Sequence, residues 1–124
     1  MKKIFALCAV VLAAAVAGVY RTTRLPDRFG TFTGAPRASA ADLVARPKDF
    51  LKKTVALEGI VREQCETMGC YFYFHEGRAT LRVDLQDIAM NAPRGKNGRP
   101  ARVEGQLESY GDGYQLLATA VAFE

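Results

Sequence analysis

A single histidine among 124 residues leaves little for general acid–base work. The sequence also lacks a Ser/His/Asp set, a carboxylate pair at a defined spacing, a phosphate-cradling glycine loop and a dense metal-binding cluster, so it reads as non-enzymatic. Positive charge is scarce where a folded domain would need it to hold nucleic acid. Of the formal +4, residues 1–40 contribute Lys2, Lys3, Arg21, Arg24, Arg28 and Arg37 against Asp27, whereas residues 41–124 carry eleven Lys or Arg against twelve Asp or Glu. Nucleic-acid binders draw most of their non-specific affinity from neutralising phosphates, so a nucleic-acid partner is not expected. Internal repeats and low-complexity tracts are absent too.

What is present begins with Ile4–Tyr20, seventeen uncharged residues between Lys2-Lys3 and Arg21. As a helix the run would span about 25 Å, the lower limit for a bilayer core. Ala15-Val16-Ala17 before Gly18 offers a signal-cleavage pattern, while the arginines immediately beyond suit a retained anchor. Residues 1–20 are therefore expected to be a signal peptide or a single-pass membrane anchor. Cys8 lies too early in the run for a lipoprotein and fits as an apolar filler. Charge flanks both sides of the run, and the cysteine pair farther on decides for export: a periplasmic or other extracytoplasmic domain of a bacterial-type cell envelope. Residues 21–38 mix Pro, Gly, Thr and Arg without a period and read as a flexible linker, its arginines able to lie against anionic headgroups.

The remainder, 39–124, is expected to be one domain. At this size the core is modest, and a disulfide would help it. Ser39 can cap a short helix over 40–45, with Asp42 in its first turn and Pro47 ending it. From Thr54 the period becomes two. Strands are predicted from Thr54, with Gly59 a bend or bulge, then over Cys70–His75, Thr80–Leu85, Ala101–Ser109 and Gln115–Phe123. A helical turn over Gln86–Ala92 follows the third strand, and Tyr110-Gly-Asp-Gly-Tyr114 makes the last hairpin. Three strands, a short connection and a hairpin are the order of a five-stranded oligonucleotide/oligosaccharide-binding (OB) barrel. The expected class is mainly all-β, with a short helix before the barrel and a hydrophobic helix ahead of both.

Val55-x-x-x-Gly59-x-Val61, Cys65, Gly69-Cys70-Tyr71, Arg82-Val83 and Val103-x-Gly105 resemble a family of small bacterial exported OB-fold proteins of unassigned function. The likeness covers about residues 42–124, and Tyr71 stands where relatives often have Trp. It implies fold and location rather than activity.

Two groups could carry chemistry. Cys65-x4-Cys70 lacks the C-x-x-C spacing of thioredoxin-like sites and reads first as a structural disulfide. The alternative is a copper or zinc site using Cys65, Met68 and Cys70; otherwise no cofactor is expected. Strand parity sets His75 on the face away from Cys70, Phe72 and Phe74. Tyr71, Tyr73 and His75, with Arg82 on the next strand, form a candidate ligand-binding face, since OB barrels bind on their second and third strands. Arg94, Lys96, Arg99 and Arg102 make a local basic patch. The expected role is a non-catalytic envelope binding module for a protein, glycan or small ligand. The alternatives are a metal-handling protein and an exported redox or cytochrome-maturation-type accessory protein, the latter without a haem-carrying His-x-x-x-Tyr motif.

Overall fold

The computed structural model describes residues 27–67, 70–89 and 92–124. In chain order come strand β1 (Arg28–Gly30), helix α1 (Ala40–Ala45), a 3-10 turn (Pro47–Asp49), and strands β2 (Thr54–Arg62), β3 (Tyr71–Glu76), β4 (Ala79–Asp84), β5 (Pro100–Tyr110) and β6 (Gly113–Phe123). Ser39 caps α1 by accepting from the Asp42 N–H, and Pro47 opens the 3-10 turn instead of prolonging the helix. No helix among the described residues is long and apolar enough to cross a membrane, and the apolar run 4–20 lies outside them.

The sheet runs β1-β6-β4-β3-β2-β5 and closes through β5–β6, so β2 to β6 form a five-stranded barrel. All ladders are antiparallel except β4–β6. That parallel closure, with the loop over residues 85–99 crossing between β4 and β5, is the OB arrangement. Alternation places Val55, Leu57, Val61, Phe72, Phe74, Leu81, Val83, Val103, Leu107 and Leu116 inside, all at most 5% exposed. Phe72 packs edge-on against Phe74 and Phe123, and the fully buried Leu43 of α1 joins the same core.

Two expectations are corrected. Gly59 is not a bulge, because the β2–β5 register continues through Gly59↔Ala101. Its missing side chain makes room for the Phe74 ring, which a Cβ would meet at 2.8 Å. The bulge falls instead between Glu104 and Gly105, where β6 carries the extra Thr119.

The described part of the expected linker is bound to the barrel. β1 pairs with β6, Phe123 N–H donates to Asp27 O, and Ala38 N–H and Pro36 O bond Ala56 on β2. Gly30, at φ +71°, turns the chain where any Cβ would strike the Thr119 carbonyl. Residues 27–38 thus form a strap across the barrel wall; residues 21–26 lie outside the described part.

Candidate functional site

Cross-strand register sets a row of polar and aromatic side chains on the outer wall: Arg62, Tyr73, Arg82, Gln115 and Glu108 face one another from β2 through β3, β4 and β6 to β5. Tyr71 opposes Asp84 in the adjoining row. At the centre the Arg82 guanidinium lies 4.0 Å from the Tyr71 ring centroid and 4.6 Å from that of Tyr110, a cation between two π faces. Arg82 Nε donates to Gln115 Oε1 at 3.0 Å, Gln115 Nε2 donates to Glu108 Oε1 at 2.6 Å, and Asp84 Oδ2 is 3.6 Å from the guanidinium. Tyr73 meets Tyr71 edge-on at 6.0 Å.

Arg82 is 16% exposed, and this burial disfavours its charge. Its hydrogen bond with Tyr73 and the nearby Tyr110 and Asp84 outweigh that and raise its pKa above the ordinary arginine value. The result is a pre-organised, half-buried patch with Tyr110 projecting from the hairpin at 48% exposure. It can stack and hydrogen-bond, and it contains no nucleophile with an activating base.

Three of the four residues expected on this face come together. His75 shares the face but engages Glu63 instead, Nε2 to Oε2 at 3.5 Å, and is exposed. Tyr110, Gln115 and Glu108 join from a distance in sequence. The tyrosine-flanked hairpin of alternating residues was their one sequence signal.

The cysteines lie in the β2–β3 loop. Their sulfurs are 3.6 Å apart with Cys70 donating to Cys65, so the pair is in contact as thiols and not covalently joined. Partial burial pushes the Cys70 thiol pKa up, and Cys65 beside it adds to the rise. Among the described residues no group of three His, Cys, Asp or Glu could hold a metal, and Met68 lies outside them.

The expected basic patch is dispersed by partners. Arg94 donates to Glu66 O, Lys96 pairs with Asp27 at 2.8 Å, Arg99 donates to Glu124 O, and Arg102 lies over Phe32. The buried Gln64, next to Cys65, ties down the same loop: its Nε2 donates to Pro93 O and its Oε1 accepts from Lys96 N–H.

No protein-family profile matches the sequence, and no curated protein matches it. The fold has solved counterparts. It is similar to the hypothetical protein ygiW from E. coli, with a TM-score of 0.50 and 15% identity over 77% of this chain and 99% of that one. At that identity the likeness shows the fold: a small OB-type barrel.

Sequence reasoning also missed Glu104. Only 2% exposed, its carboxylate accepts from Thr33 N–H and Oγ1–H through Oε1 and from Gly34 and Ala35 N–H through Oε2, at 2.8 to 3.1 Å. Burial alone would raise its pKa; the four donated hydrogen bonds outweigh it and hold the group below the ordinary carboxylate range. These bonds fasten the strap.

Proposed function

We propose that this chain is a non-catalytic binding module of the cell envelope whose outer β3–β4–β6 face takes a protein, glycan or small ligand. The observation that carries the reading is the Tyr71–Arg82–Tyr110 stack. A guanidinium fixed between rings and backed by Gln115 and Asp84 loses little freedom when a ligand arrives, which favours binding over mere solvation. Aromatic rings flanking fixed donors and acceptors suit sugar rings and peptide planes alike.

A photo-crosslinking residue placed at Tyr110 in cells should give one discrete adduct, identifiable by mass spectrometry as protein or glycan. The same residue at Arg78, on the exposed β3–β4 turn, should give none. Arg82→Ala should abolish the Tyr110 adduct. Equal labelling from both positions, or an adduct indifferent to Arg82, would overturn the reading.

A second reading rests on the 3.6 Å sulfur contact, a separation at which one soft cation, Cu(I) or zinc, could be held by Cys65 and Cys70. Its ligand set would need completion from Met68 or solvent. The same contact also suits an exported redox role.

A further inference from the structure

The described barrel is formally neutral, with thirteen Lys or Arg against thirteen Asp or Glu in residues 27–124, so any strongly charged face reflects sorting of charge, not excess. On the strap side the exposed charge is sorted toward arginine, with Arg28 and Arg102 beside an Arg37–Glu58 pair. Arg28 on β1 and Arg102 on β5 both pair with the small Ala122 of β6, so all three lie in one row on the outer wall. The Phe32 ring sits between the two guanidiniums, 5.3 Å from each. Both arginines are exposed, and among the described residues neither forms an ion pair with a carboxylate. The row continues to Glu58 on β2, whose charge is met by Arg37 at 2.9 Å. Two residues along β2 and β5, Ile60 opposite Pro100 leaves an apolar side chain 39% exposed. Glu104 is buried beneath the strap, where its carboxylate accepts from the Thr33, Gly34 and Ala35 N–H groups and is not presented to solvent.

We infer that this face, Arg28, Phe32 and Arg102 with Ile60 at its edge, docks on an anionic lipid bilayer. Guanidiniums exposed around a partly buried aromatic ring match a headgroup layer, where cations meet phosphate and an amphipathic ring sits at the polar boundary. Only residues 21–27 separate Tyr20, the end of the apolar run, from β1, a reach of at most about 25 Å when fully extended. If the run is a retained anchor, the first strand to follow it is β1, which carries Arg28, and tethering raises the effective concentration of headgroups at the face. The choice of bilayer thus rests on the envelope reading; the docking itself needs only the face. Gln115, in the Arg82 row, is seven residues before Ala122 on β6, about 23 Å along the strand, which leaves the candidate ligand face clear of the lipid.

The full-length chain is tested by flotation with vesicles of neutral phosphatidylcholine or of phosphatidylcholine mixed with phosphatidylglycerol. Its amide NMR signals are then recorded in nanodiscs of the same compositions carrying a headgroup nitroxide. Broadening is expected at residues 28, 32 and 102 in anionic discs, with residues 71, 82 and 110 spared, and little broadening at any of these in neutral discs. Arg28→Ser with Arg102→Ser should lower the docked-to-free ratio in anionic discs about 25-fold, near five-fold per guanidinium. Flotation with both vesicle types but equal broadening in both discs overturns the docking and leaves an anchor standing. Flotation with anionic vesicles alone, lost in the double variant, upholds the docking and removes the anchor. Flotation with neither overturns both, and broadening centred on Tyr71 and Arg82 overturns the assigned face.

Discussion

Thr33 donates to Glu104 twice, once through its backbone N–H at 2.8 Å and once through its hydroxyl at 2.9 Å, across 71 positions of sequence. With Gly34 and Ala35 donating to the other carboxylate oxygen, this acid is the chief polar fastening of the strap. Glu104→Gln keeps one accepting oxygen and turns the other position into a donor facing N–H groups. The variant should lose about 2 kcal/mol at pH 7 in urea unfolding.

The same contacts set a pH dependence. The folded-state pKa of Glu104 is depressed, so its contribution is complete above the ordinary glutamate value, near 4.3, and is lost as pH falls through the lower folded value. Unfolding curves at pH 7, 5 and 3 should bring the wild type and Glu104→Gln together at the acid end. A gap of unchanged size at pH 3 would show that the carboxylate charge is not what holds the strap.

Arg82 and Gln115 meet across the β4–β6 ladder, and each needs the other because Gln115 is buried. Arg82→Ala should destabilise the barrel by about 1–3 kcal/mol by leaving a buried amide short of a partner. A double-mutant cycle with Gln115→Ala should show coupling of at least about 0.5 kcal/mol. Additive effects would mean that the stack is held by the tyrosines alone.

The two sulfurs are close enough that oxidation by a disulfide-bearing oxidant, with loss of two protons and two electrons, is expected to join them. The six-residue loop so closed should add about 2 kcal/mol on the chain-entropy model. A reductant should then lower the melting temperature and a chelator should not, with Met68→Leu nearly neutral. Stoichiometric Cu(I) or zinc in protein with both thiols reduced would favour the metal reading. In the reduced form, the raised Cys70 pKa predicts slow alkylation at pH 7 that accelerates only above the usual thiol range.

Gly59→Ala tests the close approach of Phe74. A Cβ would fall 2.8 Å from the ring, which must shift inside a packed core, at a cost of about 1–3 kcal/mol. Calorimetry of Gly59→Ala beside Gly59→Ala with Phe74→Leu should show part of that loss restored.

The barrel was legible in the sequence because its signals are local. Apolar alternation from Val55 to Val61, at Phe72 and Phe74, and from Leu81 to Leu85 repeats at the spacing of the pleat, and Ser39 and Pro47 bracket α1 chemically. Strand parity likewise placed Tyr71, Tyr73 and Arg82 on one side. The strap was not legible: its Thr, Gly and Pro residues have no period, and what orders them is a carboxylate on β5. Glu104 itself sits at an outward position of its strand, where alternation signals solvent. Tyr110 and Gln115 reach Arg82 only through the closure of the barrel, a long-range event without a local signature. Gly59 shows the remaining limit, since a glycine excused by a neighbouring ring and one that kinks a strand look alike in sequence.

The hydrogen bond from Phe123 N–H to Asp27 O brings the two ends of the described chain to one rim of the barrel. Order of connection is therefore nearly free of geometric constraint. A circular permutant that joins Glu124 to Asp27 through a short glycine linker, and opens between Gly77 and Arg78 in the exposed β3–β4 turn, needs no strand to move. In such a molecule the strap is an internal crossover, joined to the barrel at both of its ends and still held by Glu104.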